Sequence, residues 1–145
     1  WRSHHLSTCR QRKGVPGVVD HGARVLAHCL EPENVGVVER PDGVGVLGDV
    51  SCGDFVVMFL KVHRERLLDV KYLVRGSCTA VAACSALSRL AKGLTVRRAS
   101  LLTGADVVAE LDGSPDEYAP ACNVIVAVLQ RAIADYRRRQ AHGAR

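Results

Sequence analysis

At 145 residues the chain is long enough for one compact domain and too short for two. Its 48% hydrophobic and 24% charged residues exclude a disordered tail, and 4% aromatics argue against a nucleic-acid binder that stacks bases. No apolar run reaches the roughly 18–20 residues that a membrane-crossing helix needs. The net charge of +5 belongs to the two ends: four basic residues and no acid in 1–14, and Arg137, Arg138, Arg139 and Arg145. The other 12 basic residues face 15 acidic ones across 15–136, a slightly acidic body, so the charge gives no support to a polyanion partner.

Residues 1–17 read as a basic tail, 18–139 as the domain and 140–145 as a second tail. Residues 1–14 have no apolar signal core; they are similar to the end of an organelle transit peptide, or equally to a stretch joined upstream. Val18 to Leu30 reads as a helix with Val18, Leu26 and Leu30 on one side. Residues 31–53 carry Gly and Pro at loop spacing, with room for one strand near Val44 to Asp49. Phe55 to Val62 is a strand, His63 to Arg66 a turn, and Leu68, Val70, Tyr72 and Val74 alternate as the inner face of the next strand. From Thr79 the period becomes helical, with Val81, Cys84, Leu87 and Leu90/Ala91 on one face and Gly93 as the stop. Thr95 caps a short helix through Leu102, and Thr103 with Asp106 caps another through Leu111. The last helix is expected from about Pro120 to Arg139, with Ile125, Val128/Leu129, Ala132/Ile133 and Tyr136 inward. Strands first and helices afterwards predict an α+β domain, a three-stranded antiparallel sheet with helices on one face.

Six cysteines are the compositional anomaly. Without an export signal they are expected to act as thiols or ligands rather than as a disulfide framework. Cys9 falls in the tail, and Cys29 and Cys84 fall inside helices, where a small buried hydrophobe is the plain reading. Cys52, Cys78 and Cys122 each fall at an element boundary, Cys122 in the expected first turn of the last helix. A helix N-terminus favours thiolate over thiol. Three thiolates and the Asp54 carboxylate at one sheet end would supply four ligands for zinc or an iron–sulfur cluster. Spacing alone leaves chance placement open, because there is no C-x-x-C pair, and Asp54 can equally be a turn acid beside Gly53.

The ordered words around these residues add to that. Glu31-Pro32-Glu33-Asn34-Val35-Gly36, Cys52-Gly53-Asp54, Gly76-Ser77-Cys78-Thr79-Ala80-Val81-Ala82, and Cys122 ahead of Ala132-Ile133-Ala134-Asp135-Tyr136 together resemble the IscU/NifU-type iron–sulfur cluster scaffold family over residues 20–139. His28 matches the family's histidine before the first word. The resemblance implies a non-enzymatic platform for a labile [2Fe–2S] cluster. Sulfur would arrive as a persulfide from a cysteine desulfurase, iron would enter the same site, and the cluster would pass to recipient apo-proteins. Cys52, Cys78 and Cys122 would be thiolate ligands or sulfur acceptors. Asp54 would keep the site labile, since a hard oxygen holds iron less firmly than a fourth thiolate. Neither nucleic acid nor membrane is an expected partner, and the expected compartment is the cytoplasm, with the mitochondrial matrix as alternative.

Three departures from the family pattern bear on the site. Ala121 stands where the family usually has a histidine ligand, which leaves three cysteines and Asp54, as in the zinc-binding SufU-like branch, though that branch's mid-domain insertion is missing. The local word aligns Ser77 with the family cysteine, whereas the interval from Cys52 selects Cys78. Cys78 is preferred, because a serine hydroxyl is a poor ligand for a soft metal. Pro115-Asp116-Glu117-Tyr118-Ala119 replaces the chaperone-docking stretch, so docking of the dedicated chaperone by that route is not expected. Two other readings follow from the same residues: a zinc-binding sulfur acceptor that enhances a cysteine desulfurase, and a diverged homologue that has lost the site.

Overall fold

The computed structural model describes residues 22–48 and 53–143. Three strands, β1 (Gly43–Gly48), β2 (Phe55–His63) and β3 (Arg66–Arg75), form an antiparallel sheet in the order β1-β2-β3. Around it lie α1 (Gly22–Leu30), α2 (Cys78–Ala91), α3 (Val96–Ala99), α4 (Gly104–Leu111) and α5 (Pro115–Gly143). The α+β class, the strand count and the pairing are those the sequence predicts. Among the described residues no helix is long and apolar enough to cross a membrane.

The inner sheet face is set by alternation. Val56, Met58 and Leu60 of β2 are fully buried, as are Val70 and Tyr72 of β3, and the register pairs Met58 with Tyr72 and Leu60 with Val70. The predicted phase of β3 fails at one end. Leu68 is 61% exposed, and Leu67 is the buried residue. The pairing jumps from Lys61↔Asp69 to Val62↔Leu67, so Leu68 is a bulge that reverses which side chain faces the core.

β1 explains the glycines that made its surroundings look like loop. Gly43 and Gly45 are buried and point at α5. A Cβ on Gly43 would run into the Ala132 carbonyl and Tyr136, and one on Gly45 into the backbone at Val128 and Ala132. The strand has glycine on that side because a helix backbone lies directly on it.

α5 starts at Pro115, not near Pro120, and continues past Arg139 to Gly143. Ser114, Pro115, Asp116 and Glu117 form a complete helix start: the Ser114 carbonyl accepts from the Glu117 and Tyr118 amides, and two acids lie in the first turn. Its buried face includes the predicted Ile125, Val128, Leu129, Ala132, Ile133 and Tyr136. On α5 the Asp135 carboxylate accepts from the Val44 amide (2.9 Å) and pairs with Arg138 and Arg139 (3.0 Å each), fastening β1 to the helix. Burial alone would raise the Asp135 pKa, but the Val44 amide and the two guanidinium groups hold it below the ordinary carboxylate value. A carboxylate depressed in the fold contributes stability above its unfolded pKa and loses it as pH falls through the folded value. Asp135→Ala is therefore expected to cost about 2 kcal/mol at pH 7. In urea unfolding the difference from wild type should shrink below the ordinary value of 3.8.

α2 is a core helix rather than an amphipathic one. Ala80, Ala82, Ala83, Cys84, Ser85, Ala86, Leu87, Ser88 and Ala91 are all buried, because α1, β3, α4 and α5 surround it. Small residues allow that enclosure. The short helices carry their predicted caps: Thr95 accepts from Arg98 N–H (3.1 Å), although α3 ends at Ala99, and Thr103 and Asp106 form a reciprocal capping box. α1 departs from its expected face. Val25 and His28 are buried, while Leu26 and Leu30 are 39% and 75% exposed. Residues 18–21 of the expected helix lie outside the described residues.

Candidate functional site

The first quoted word is docked rather than free. The Gly36 amide donates to the Tyr72 carbonyl (2.9 Å), Val35 bridges to β3 beside Tyr72, and the Tyr72 hydroxyl donates to the Glu33 carbonyl (2.8 Å). On the other side, Ser85 of α2 accepts from the Glu33 amide (2.9 Å) and meets His28 Nδ1 at 2.6 Å, while Asn34 donates to the Ser88 hydroxyl (3.0 Å). These bonds satisfy the buried polar side chains of α2 and fix α1, residues 33–36 and α2 as one unit. His28 is thereby a buried structural partner of Ser85.

Asp54 and Cys78 flank one end of the sheet. Phe55, which follows Asp54, is the register partner of both Gly48 and Arg75, and Cys78 begins α2 three residues after Arg75. One Asp54 oxygen, Oδ2, is buried and has no hydrogen-bond partner among the described residues. A buried carboxylate oxygen left without a donor is costly unless a cation or donor meets it. Asp54 is thus suited to accept a metal ion. Ser77 is the cap of α2: its side chain accepts from the Ala80 amide (3.2 Å). Cys52 lies outside the described residues, as does Cys9.

Three cysteine expectations are corrected. Cys29 is not a passive buried thiol: its sulfur is bonded to that of Cys78, with a Cα–Cα distance of 5.5 Å, so this pair is a disulfide after all. No local pattern could have revealed it, because the partners are 49 residues apart. Cys122 is not in the first turn of α5, which begins seven residues earlier, and it is fully buried. Burial pushes its thiol up to about 11, the reverse of the thiolate expected at a helix start. Cys84 is buried as expected; its pKa is raised by burial and by the nearby Cys122.

Among the described residues no three His, Cys, Asp or Glu side chains are grouped to hold a metal ion. Asp54 and Cys78 share a sheet end, Cys122 sits in the core beside Cys84, and Cys78 is engaged by Cys29. The raised Cys122 value has a direct chemical consequence. Alkylation by iodoacetamide at pH 7.5 is expected to be roughly 100-fold slower at Cys122 than at an exposed cysteine, from about two pH units of lost thiolate. Differential alkylation read by mass spectrometry checks this. Comparable labelling of the two would contradict the burial.

Comparison with known proteins agrees with the sequence words and the fold. The family of the NifU-like N terminal domain matches residues 20–143. The iron-sulfur cluster assembly scaffold protein IscU 1 of Archaeoglobus fulgidus is 36% identical over 116 residues, covering 80% of this chain and 76% of that protein. The IscU scaffold protein of Aquifex aeolicus is 36% identical over 123 residues, 83% of this chain and 78% of its own. In structure, the N-terminal NifU-like protein from Brucella abortus superposes with a TM-score of 0.64 at 18% identity, over 81% of this chain and 94% of that one, a likeness of fold. The chain therefore belongs to the NifU-like N-terminal domain family.

Proposed function

We propose that the protein is an iron–sulfur cluster assembly scaffold. It receives iron and persulfide sulfur, holds a labile [2Fe–2S] cluster as its cargo, and passes that cluster to recipient apo-proteins. Cys52, Asp54, Cys78 and Cys122 are the receiving residues, and a cysteine desulfurase is the sulfur-supplying partner. Family membership and the printed roles of the relatives support the reading. The observation that carries it to this chain's own residues is the buried Asp54 oxygen, without a hydrogen-bond partner among the described residues, beside the strand end that leads to Cys78. An anionic oxygen in that position gains a partner when a cation binds, and it releases the cation more readily than a thiolate does.

Cys78 can contribute a ligand only after its bond to Cys29 is reduced. Cys122 must lose a proton it holds tightly, so loading is coupled to proton release.

Anaerobic reconstitution of the reduced protein with ferrous iron and inorganic sulfide tests the proposal. The expected result is a sulfide-to-iron charge-transfer spectrum that is lost in Cys52→Ala and Cys122→Ala. No such spectrum, or one unchanged in both variants, overturns it. Stoichiometric zinc in the purified protein, with strong stimulation of a desulfurase and no cluster, would instead make the chain a sulfur acceptor.

A further inference from the structure

We propose that Cys29 is a reacting residue: it discharges persulfide sulfur from Cys78 as sulfide. This rests on the reading above, in which sulfur arrives on the receiving cysteines as persulfide. A persulfide carries zero-valent sulfur, whereas a cluster contains sulfide, so two electrons must be supplied for each sulfur delivered. The molecule holds a two-electron donor at that place. Cys29 lies in the last turn of α1 and Cys78 is the first residue of α2, and their sulfurs are within bonding reach with no rearrangement of either helix. The docked segment 33–36 and the His28–Ser85 contact tie those two helices together, so the approach of the two thiols is built into the fold.

The step balances. The Cys29 sulfur attacks Sγ of the Cys78 persulfide; the Cys29–Cys78 bond forms as the bond from Cys78 to the outer sulfur breaks. The departing sulfur takes the electron pair of that bond and the Cys29 thiol proton and leaves as hydrogen sulfide. Two cysteines are oxidised to one disulfide while one sulfane sulfur is reduced to sulfide. The step leaves the two cysteines joined as they are in the structure. An external dithiol of the thioredoxin class, by ordinary thiol–disulfide exchange, returns both cysteines to thiols for the next delivery.

The test uses the full chain, reduced, freed of reductant and kept anaerobic with a chelator. It is exposed briefly to glutathione persulfide and then desalted. Wild type is expected to release about one sulfide per chain and to end about 2 Da lighter than the reduced protein, with a Cys29–Cys78 cross-linked peptide. Cys29→Ser is expected to retain about 32 Da on Cys78 and to release sulfide at least about tenfold more slowly. Release at the wild-type rate from Cys29→Ser overturns the proposal. So does sulfur that stays on Cys78 in wild type, that moves to Cys29 without sulfide release, or that never reaches Cys78. The wild-type cross-link and sulfide yield stand even if the variant folds poorly. Reconstitution with iron and inorganic sulfide separates the two readings, because it needs no persulfide step. Cys29→Ser should load there as wild type does, and failure of both proteins would count against the scaffold and not against the sulfide-release result.

Discussion

Gly45→Val is expected to lower the stability of the domain by roughly 3 kcal/mol or more. That is a large share of the margin that most domains of this size possess. The reason is local and geometric. Gly45 faces α5 so closely that even one carbon would enter the backbone at Val128 and Ala132. Backbone cannot change rotamer, so either the strand or the helix must move. β1 pairs with β2 along its whole length, and α5 buries Tyr118, Ile125, Leu129, Ile133 and Tyr136 in the core, so movement of either disturbs it. The urea midpoint should fall by roughly 1–2 M with little change in slope. The control is Val46→Thr on the same strand, which is 45% exposed and should be near neutral. Equal midpoints for Gly45→Val and wild type would contradict the close approach of α5 to β1.

Reduction of the Cys29–Cys78 disulfide is expected to destabilise the domain by roughly 4 kcal/mol in the chain-entropy account. The value comes from the 49-residue separation, since the cross-link removes that loop's freedom from the unfolded chain. For a chain of this length it corresponds to a fall in Tm of roughly 10 °C. Cys29→Ser should melt near the reduced wild type, and reductant should leave its Tm unchanged. A wild-type Tm that ignores reductant would contradict the pairing. The expected size also carries a functional consequence. In the proposed sulfur release, the form with both thiols free would be the less stable one, and the cross-linked form the one that resists unfolding.

The β2–β3 hairpin was legible because six consecutive apolar positions, Phe55 to Leu60, and a polar turn leave few alternatives. Leu67 and Leu68 were not: the bulge that exchanges them depends on how β3 meets β2, and either leucine satisfies a local pattern. The start of α5 was misplaced because Pro120 reads as a first-turn proline. Yet Ser114-Pro115 with two following acids is the stronger signal, and Pro120 stands inside the helix. The same error carried Cys122 to a helix terminus and gave it the wrong acidity. For the candidate site, Asp54 and Cys78 were placed by the strand ends they flank, which the hairpin reading contained. The pairing of Cys78 with Cys29 depends on how α1 packs against α2, and periodicity does not report that.

Cluster transfer tests the central claim most directly. Reduced protein, loaded anaerobically with iron and sulfide, is mixed with an apo-protein that takes a [2Fe–2S] cluster, in the presence of a chelator that traps free iron. A scaffold predicts that the recipient gains its spectrum as this protein loses its own, faster than from equal free iron and sulfide, and that Cys122→Ala supports no such transfer. A cluster that stays on the protein, or a recipient that fills no faster than from free ions, would contradict the account.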